Sequence, residues 1–379
     1  MPPLRLLVFR PDLSQGGADR VTITLLHHFD RTRFTPTLAL VKKRGELLGE
    51  VPADVPIVDL GAKRLARAAP ALTRAIRELE PDVVLCTAGG ANVIAVAAHQ
   101  LARSRARLVL SERNAVGRDV GRVRSALERA AKAAMYRLAD EITAVSDGVA
   151  QDLIRQLRLP RERVRVVYNP VVHRGLAPLA REPVQHPWFE TPGSTLLAVG
   201  RLTAQKGYPT MLAAFVQIRA KVRDARLAIL GDGPDREELE RHARELGLDN
   251  AVAFLGFDPN PFRYMARARL LVQSSLAEGL PGTIIQSMAC GTPVVATDCD
   301  HGPREVIRND VNGYLVPVGD AGALARHAID VMTTPELRAR LGAAARDSAQ
   351  RFTVESSMRH YEAALMGGAH TPTETRTTG

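Results

Sequence analysis

Residues 269–297 read RLLVQSSLAEGLPGTIIQSMACGTPVVAT and contain one complete strand–helix–strand unit. RLLVQS and TPVVAT are short apolar runs typical of buried strands, and the segment from Thr283 to Cys290 has the apolar spacing of a helix. A Gly-x-Pro turn, Gly279 to Pro281, precedes that helix. Two short buried strands joined by a helix predict a parallel sheet with helices on its faces.

The same rhythm runs through most of the chain. It predicts two α/β domains, each a doubly wound, Rossmann-like parallel sheet, at residues 1–168 and 195–366. A proline-rich segment without periodicity, residues 169–194, is interpreted as the linker, and residues 367–379 as a disordered tail. The predicted strands are LRLLVF, PTLALV, VPIVDL, DVVLC, RLVLS, EITAV and VRVVY in the first domain, and TLLAVG, ARLAILG, AVAFLG, RLLVQS, TPVVAT and NGYLVP in the second. Ligands of such folds bind beyond the carboxyl ends of the strands, so a ligand is expected in the cleft between the domains.

The composition is that of a globular protein. The 379 residues are 45% hydrophobic and 24% charged, and no apolar run is long enough to span a bilayer. The three cysteines, Cys86, Cys290 and Cys299, are odd in number and widely spaced, which excludes a disulfide framework and a CxxC metal site. We therefore expect a cytoplasmic protein.

The net charge of +10 is concentrated in the first half. Residues 1–185 contain 30 Lys and Arg against 19 Asp and Glu, whereas the remainder is close to neutral. Two interpretations stay open: solvated helix faces, or a surface that binds anionic lipid or an anionic acceptor. Nucleic acid is not expected as a partner, because only 4% of residues are aromatic and none interleaves with the basic runs. The basic residues form two groups, Lys63, Arg64, Arg67, Arg74 and Arg77, and then Arg118, Arg122, Arg124, Arg129, Lys132 and Arg137.

Loops that follow predicted strands have the composition of anion-binding loops. Gly16 and Gly17 would let backbone N–H groups approach a phosphate at the start of a helix, although a glycine pair is more often only a turn. Arg201 and Lys206 flank another loop and can converge on one diphosphate, with a structural ion pair as the alternative. The glycines of LGDGP, residues 230–234, are explained by the turn alone.

The loop quoted first combines an acid with a helix start. Glu278 ends the loop, and the backbone N–H groups near Gly282 and Thr283 would point toward an anion. Gln286 lies one turn into the helix, and its side chain leans back toward the same place.

Taken together, these motifs resemble the retaining glycosyltransferases of the GT-B fold, family 4, over nearly the whole chain. The resemblance rests on Gly16-Gly17, VSDGVAQDL (145–153), VVYNPV (166–171), VGRLTAQKG (199–207), LGDGP (230–234), residues 274–307 and NGYLVPVGDAGALA (312–325). The GPREVI ending and the SERNA segment (111–115) are most similar to the branch that builds bacterial polysaccharides and lipid-linked oligosaccharides.

The resemblance implies a role for each site residue. Arg201 and Lys206 would hold the diphosphate of a nucleotide-sugar, and Glu278 would face the hydroxyls of the donor sugar. The Pro281 turn, Gly282 and Thr283 would present the helix start to the phosphate, and Gly16 and Gly17 would close over it from the first domain. No metal and no cofactor beyond the nucleotide-sugar is expected, since GT-B enzymes use fixed cations and a helix N-terminus to stabilise the leaving group.

Two positions depart from the family pattern. Many relatives carry a histidine after the strand RLVLS, where this chain has Ser111-Glu112-Arg113-Asn114. Glu112 and Arg113 are therefore candidate substrate-binding residues, with an internal salt bridge as the alternative. Gln286 stands where the family usually has a glutamate that holds the ribose hydroxyls.

The sequence thus predicts a retaining, metal-independent glycosyltransferase with a lipid-linked or growing saccharide acceptor, located in the cytoplasm and peripherally on the inner face of the cell membrane. Two alternatives remain: a transferase acting on a small soluble acceptor, and an inactive GT-B protein that only binds a nucleotide-sugar, which Gln286 keeps open. A dinucleotide oxidoreductase is disfavoured, because no GxGxxG follows the first strand.

Overall fold

The computed structural model describes residues 2–14, 16–113, 126–190 and 194–368 and divides the chain into two units. The first contains the residues up to Pro170 and those from Val354 onward, and the second contains Val171–Thr353. Each unit has its own parallel sheet. Within the described ranges, no helix has both the length and the apolar character needed to cross a bilayer.

The first unit is built on a seven-stranded sheet with strand order β3-β2-β1-β4-β5-β6-β7. All of its strand pairs are parallel, with Leu4 opposite Phe34 where the first two strands pair. The order reverses direction between β1 and β4, which is the switch point at which such sheets bind ligands. The strands are β1 (Leu4–Arg10), β2 (Phe34–Leu40), β3 (Ile57–Asp59), β4 (Val83–Cys86), β5 (Arg107–Glu112), β6 (Glu141–Ala144) and β7 (Val164–Val166). The helices between them are α1 (Gly17–His28), α2 (Ala69–Leu79), α3 (Asn92–Ala102), α4 (Ala126–Tyr136) and α5 (Asp147–Leu157).

The second unit is built on a six-stranded parallel sheet of order β10-β9-β8-β11-β12-β13. Its strands are β8 (Thr195–Val199), β9 (Arg226–Leu230), β10 (Val252–Gly256), β11 (Leu270–Gln273), β12 (Val294–Thr297) and β13 (Tyr314–Val316). Its helices are α6 (Leu176–Arg181), α7 (Pro187–Glu190), α8 (Tyr208–Lys221), α9 (Arg236–Glu245), α10 (Phe262–Met265), α11 (Gly282–Ala289), α12 (Pro303–Val306), α13 (Ala321–Thr333) and α14 (Pro335–Ala349). All thirteen strands of the two sheets were predicted from the sequence.

The last helix, α15 (Val354–Met366), belongs to the first unit, whereas the predicted second domain, residues 195–366, included it. Tyr361 and Leu365 lie in the first unit's core, and Arg107 Nε donates a 2.9 Å hydrogen bond to the Ala364 carbonyl. Burying side chains of this size stabilises a fold by roughly 1.5–3 kcal/mol each, so the helix is an integral part of that unit.

The predicted linker, residues 169–194, also differs from expectation. From Val171 it is part of the second unit and forms the short helices α6 and α7. Residues 191–193 and, in the predicted tail, residues 369–379 lie outside the described residues.

Candidate active site

Three donors converge on one oxygen of the Glu278 carboxylate. Lys206 Nζ lies 2.7 Å from Glu278 Oε1, Gln273 Nε2 lies 2.8 Å from it, and Ser275 Oγ lies 2.7 Å from it. The Glu278 side chain is only 10% exposed and that of Lys206 19%. A largely buried carboxylate oxygen that accepts from a cation and two neutral donors is held in one orientation.

The loop that carries Glu278 is fastened to the loop that carries Lys206. Gln205 Nε2 donates to the Ala277 carbonyl at 2.8 Å, and Ser274 Oγ donates to the Lys206 carbonyl at 2.9 Å. Gly207, which ends the lysine loop, has φ +62°, and a Cβ there would lie 2.2 Å from the Ser274 carbonyl oxygen. The close approach of the two loops therefore requires glycine at this position.

Arg201 is exposed, two residues beyond the end of β8, and no acid among the described residues forms a salt bridge with it. Its guanidinium is thus available to an anionic ligand. The LGDGP glycines have a structural reason, as predicted: a Cβ on Gly231, at φ +142°, would lie 2.0 Å from the Gly200 carbonyl oxygen.

Helix α11 begins at Gly282, one residue before the predicted start at Thr283, with Pro281 as its N-cap. The bond from the Ile285 N–H to the Pro281 carbonyl, 3.2 Å, closes the first turn, so the N–H groups of Gly282 and Thr283 precede the helical ladder. Thr283 Oγ1 donates a 3.0 Å hydrogen bond to Gln273 Oε1. The helix start is thereby linked to the residue that also contacts Glu278.

Gln286 lies half-buried in the same helix, four residues after Gly282. A spacing of four places it on the helix face of Gly282, one turn further along. Its side-chain amide has no hydrogen-bond partner among the residues that the structure describes.

The turn of the GPREVI segment packs against the Glu278 loop. Gly302 has φ +86°, and a Cβ there would lie 2.7 Å from both the Gly279 carbonyl oxygen and Pro281 Cδ. Glycine at this position therefore allows the turn to pack closely against the Glu278 loop. This role was not predicted from the sequence.

In the first unit, Gly16 is the N-cap of α1 and Gly17 its first residue, and both are exposed. The Gly16 N–H donates to Asp19 Oδ2 at 3.0 Å, and a Cβ on Gly16 would lie 2.9 Å from the same oxygen. A Cβ on Gly17 would meet nothing within 4 Å. Their substrate-binding role stays a prediction, and Gln15 lies outside the described residues.

Beneath this turn, Arg10 forms a buried ion pair with Asp19. Its Nη1 also donates to Thr22 Oγ1 at 2.9 Å and to the Thr87 carbonyl at 3.0 Å. Burial lowers the pKa of Arg10, although the Asp19 charge opposes this effect. Arg10 ends β1, one residue beyond the predicted strand LRLLVF, and it was not among the predicted site residues.

Glu112 is fully buried at the end of β5. Its Oε2 accepts a 2.8 Å hydrogen bond from the Tyr136 hydroxyl and lies 3.6 Å from Lys132 Nζ. A Cβ on Gly89 would lie 2.1 Å from Glu112 Oε1, so glycine makes room for the acid. Burial, followed by the Glu112 charge, raises the pKa of Tyr136. These contacts support the salt-bridge alternative, and substrate binding by Glu112 stays a prediction.

Arg113 is nine-tenths buried. Its Nε donates to the Thr87 carbonyl at 3.1 Å, and its Nη1 donates to Asn169 Oδ1 at 3.0 Å. The substrate contact proposed for Arg113 is likewise untested. The remaining residues of the SERNA segment, 114 and 115, lie outside the described residues.

The two groups of basic residues differ in how exposed their side chains are. The first group is exposed throughout, on and before α2. In the second group Arg129 and Arg137 are exposed, but the Lys132 side chain is only 10% exposed because it faces Glu112. The interpretation of Lys132 as part of a basic surface was therefore wrong. Arg118, Arg122 and Arg124 lie outside the described residues.

Among the residues that the structure describes, no group of three or more His, Cys, Asp or Glu side chains is arranged to hold a metal ion. The predicted site residues fall into two sets, one in each unit, and Gly16, Gly17, Glu112 and Arg113 form the set in the first unit. Lys206, Glu278 and Thr283 are joined in the second unit by Gln273, which the sequence analysis missed. Its only sequence signal was a polar residue at the end of an apolar strand.

Two family models match the chain. The model described as glycosyl transferases group 1 matches residues 183–348, and the model described as glycosyltransferase family 4 matches residues 15–174. Between them they span most of both sheets, whereas β1 precedes and α15 follows the matched residues.

Among individual proteins, the chain is 27% identical over 346 residues to the N-acetylgalactosamine-N,N'-diacetylbacillosaminyl-diphospho-undecaprenol 4-alpha-N-acetylgalactosaminyltransferase of Campylobacter jejuni, covering 88% of this chain and 92% of that protein. It is also 27% identical to the lipopolysaccharide 1,6-galactosyltransferase of Escherichia coli, covering 69% of each chain. The crystal structure of Anabaena HepE in complex with UDP and glucose superposes with a TM-score of 0.81 at 20% identity, over 96% of this chain and 100% of that one.

Proposed function

Since the chain belongs to the family-4 glycosyltransferases with the GT-B fold, we propose that it transfers a sugar, with retention of configuration, from a nucleoside-diphosphate sugar to a lipid-linked or growing saccharide. The observation that carries this proposal is the Glu278 carboxylate, fixed by Lys206 and placed three residues before the N-cap of α11. An acid, a cation and a helix N-terminus together can bind a sugar and its diphosphate.

Each part of the donor has a proposed partner in the second unit. The diphosphate binds Arg201, Lys206 and the N–H groups of Gly282 and Thr283. Glu278 accepts hydrogen bonds from the sugar hydroxyls, and Gln286 binds the ribose.

The reaction breaks the bond between the anomeric carbon and a diphosphate oxygen and forms a bond from that carbon to the oxygen of an acceptor hydroxyl, whose proton passes to the departing diphosphate. Negative charge grows on the departing diphosphate, and fixed positive groups at that place stabilise the transition state. We propose that Arg201, Lys206 and the α11 N-terminus supply this stabilisation in place of a divalent cation. Activity is therefore expected to persist in EDTA.

The proposed acceptor class rests on the relatives and on charge. The Campylobacter jejuni relative is named for a diphospho-undecaprenol acceptor and the Escherichia coli relative for lipopolysaccharide. The basic excess of the first half suits an anionic acceptor at a membrane surface, so we propose peripheral association with the inner face of the cell membrane.

The test is a thermal-shift screen with nucleoside diphosphates and their sugars, because a ligand that binds only the folded state raises the melting temperature. We expect a nucleoside diphosphate and its sugar to stabilise the protein. Transfer to a polyprenyl-diphosphate-linked sugar is then measured with and without EDTA. Donor binding without transfer would favour the inactive binding protein, and transfer only to water-soluble sugars would favour the small-acceptor alternative. No binding at all would reject the function.

A further inference from the structure

Gln273, the last residue of β11, is 6% exposed and bonds in two directions. Its Nε2 donates to Glu278 Oε1 at 2.8 Å, and its Oε1 accepts from Thr283 Oγ1 at 3.0 Å. The orientation of the amide follows from chemistry: an ionised carboxylate only accepts hydrogen bonds, so the amide nitrogen faces Glu278 and the amide oxygen faces the threonine.

The three donors on Glu278 all reach the same oxygen, Oε1. Among the described residues, no hydrogen bond reaches Oε2. The protein thus fixes one oxygen of the carboxylate and leaves the other to accept hydrogen bonds from a ligand.

Gln273 differs from the other two donors in its second bond. Lys206 ends a single 3-10 turn, Ala204–Lys206, and Ser275 lies in a loop, whereas Gln273 ends a buried strand and also holds the first turn of α11 through Thr283. One rigid side chain therefore sets the distance between the acid and the helix N-terminus. Rigid elements of this kind position functional groups more precisely than loops do.

We propose that Gln273 is a positioning residue, which aims Glu278 Oε2 at the donor sugar in a fixed relation to the diphosphate-binding start of α11. This inference rests on the proposed function and adds a specific consequence. Loss of Gln273 should weaken binding of the sugar part of the donor more than binding of the nucleoside diphosphate, because Arg201 does not depend on the Glu278 orientation and the first turn of α11 is also closed by its own bond from the Ile285 N–H to the Pro281 carbonyl.

The experiment compares Gln273→Leu and Gln273→Glu with the wild type by calorimetry, using UDP and UDP-glucose first and then any other pair selected by the thermal-shift screen. Leucine removes both hydrogen bonds, and glutamate keeps the size but places a second carboxylate against Glu278. We expect about a 5- to 10-fold loss of nucleotide-sugar affinity, the scale of one net hydrogen bond, and less than about a twofold loss for the nucleoside diphosphate.

The control is Ser287→Ala. Ser287 is fully buried in the same helix, and its hydroxyl has no partner among the described residues, so the variant tests α11 without touching the carboxylate. A second comparison adds Gln273→Leu to Glu278→Ala. If Gln273 acts through Glu278, the added change has no further effect on sugar affinity.

The inference is overturned if the affinities for both ligands fall equally and in step with the melting temperature, or if nucleotide-sugar affinity is unchanged. It is also overturned if Gln273→Leu still lowers nucleotide-sugar affinity in the Glu278→Ala background. These outcomes leave donor binding by the wild type intact. A wild type that binds no nucleotide-sugar would instead reject the proposed function and this inference with it.

Discussion

The ammonium group of Lys206 lies 2.7 Å from the carboxylate of Glu278, in the second unit. One residue is expected to bind the diphosphate and the other the sugar, so two proposed functions meet in a single ion pair. The pair is largely shielded from solvent, and its two loops are joined by further hydrogen bonds. Removing either residue should therefore affect both stability and binding.

Lys206→Ala is expected to remove roughly 2–4 kcal/mol of transition-state stabilisation, which appears as a lower kcat/KM. It also leaves Glu278 without its cation, so the free energy of unfolding should fall by about 1–3 kcal/mol while the fold is kept. Steady-state kinetics and chemical denaturation measure the two effects. Full activity in this variant would show that Lys206 does not contact the diphosphate.

Arg201→Ala is the matched comparison, because Arg201 is exposed and no described acid pairs with it. We expect a loss of roughly 2–4 kcal/mol in transition-state stabilisation with an unchanged melting temperature. Nucleoside diphosphate affinity should fall as well. A variant with unaltered kinetics would remove Arg201 from the proposed site.

The wild-type protein, which has glutamine at position 286, should be an active enzyme. The glutamine side chain accepts a hydrogen bond from one ribose hydroxyl and donates one to the other, whereas a glutamate would accept a hydrogen bond from each hydroxyl. Gln286→Ala should weaken donor binding by about 1–2 kcal/mol. Gln286→Glu should tighten binding modestly or leave it unchanged, because its charge-assisted bonds are offset by repulsion from the diphosphate. Calorimetry measures the donor affinity of the wild type and of the two variants. Donor binding by the glutamate variant alone would mean that Gln286 disables the site.

The exposed basic group before and on α2 provides a membrane test. Reversing Lys63, Arg67 and Arg74 to glutamate should weaken binding to phosphatidylserine vesicles by about 1 kcal/mol per position or more. The control reverses Lys221, Arg223 and Arg241, which are exposed in the second unit. Sedimentation at low and high salt measures the association. Equal effects in both triple variants would mean that only net charge matters.

Burial raises the pKa of Cys86 to about 12. At pH 8 its thiolate fraction should be about 1000-fold below that of an exposed thiol, so the native protein should react slowly with a disulfide reagent. The folded pKa lies above the unfolded one, so the thiol's contribution to stability is complete below about pH 8.5 and is lost as the pH rises toward 12. Denaturation of wild type and Cys86→Ala at pH 8 and pH 10 isolates this contribution. Equal pH dependence in the two proteins would contradict it.

The fold was predictable because strands of a parallel sheet are buried on both faces and appear as continuous apolar runs, as in DVVLC and TPVVAT. The start of α11 was predictable to within one residue, because a Gly-x-Pro turn precedes a run with the apolar spacing of a helix. Both signals are local, so no tertiary contact had to be known.

What the sequence did not reveal depends on partners distant along the chain. The alternation of basic residues with alanine around Lys132 is typical of a solvated helix face, but a buried acid on β5, Glu112, draws this lysine inward. Gln273 looked like an ordinary strand end, because no local pattern shows that its amide bonds both Glu278 and Thr283. The helical period of α15 likewise does not show which sheet the helix packs on.

The return of α15 to the first unit makes the second unit an insertion within the first. An exchange of the second unit between two relatives therefore has two splice points, after Pro170 and after Thr353. A fragment that stops at Pro170 would lack Tyr361 and Leu365, and would expose the apolar surface that these side chains cover. A chimera that joins two proteins at a single point in the middle of the chain would combine α15 of one parent with the sheet of the other, and the fit of that one helix would limit which parents can recombine.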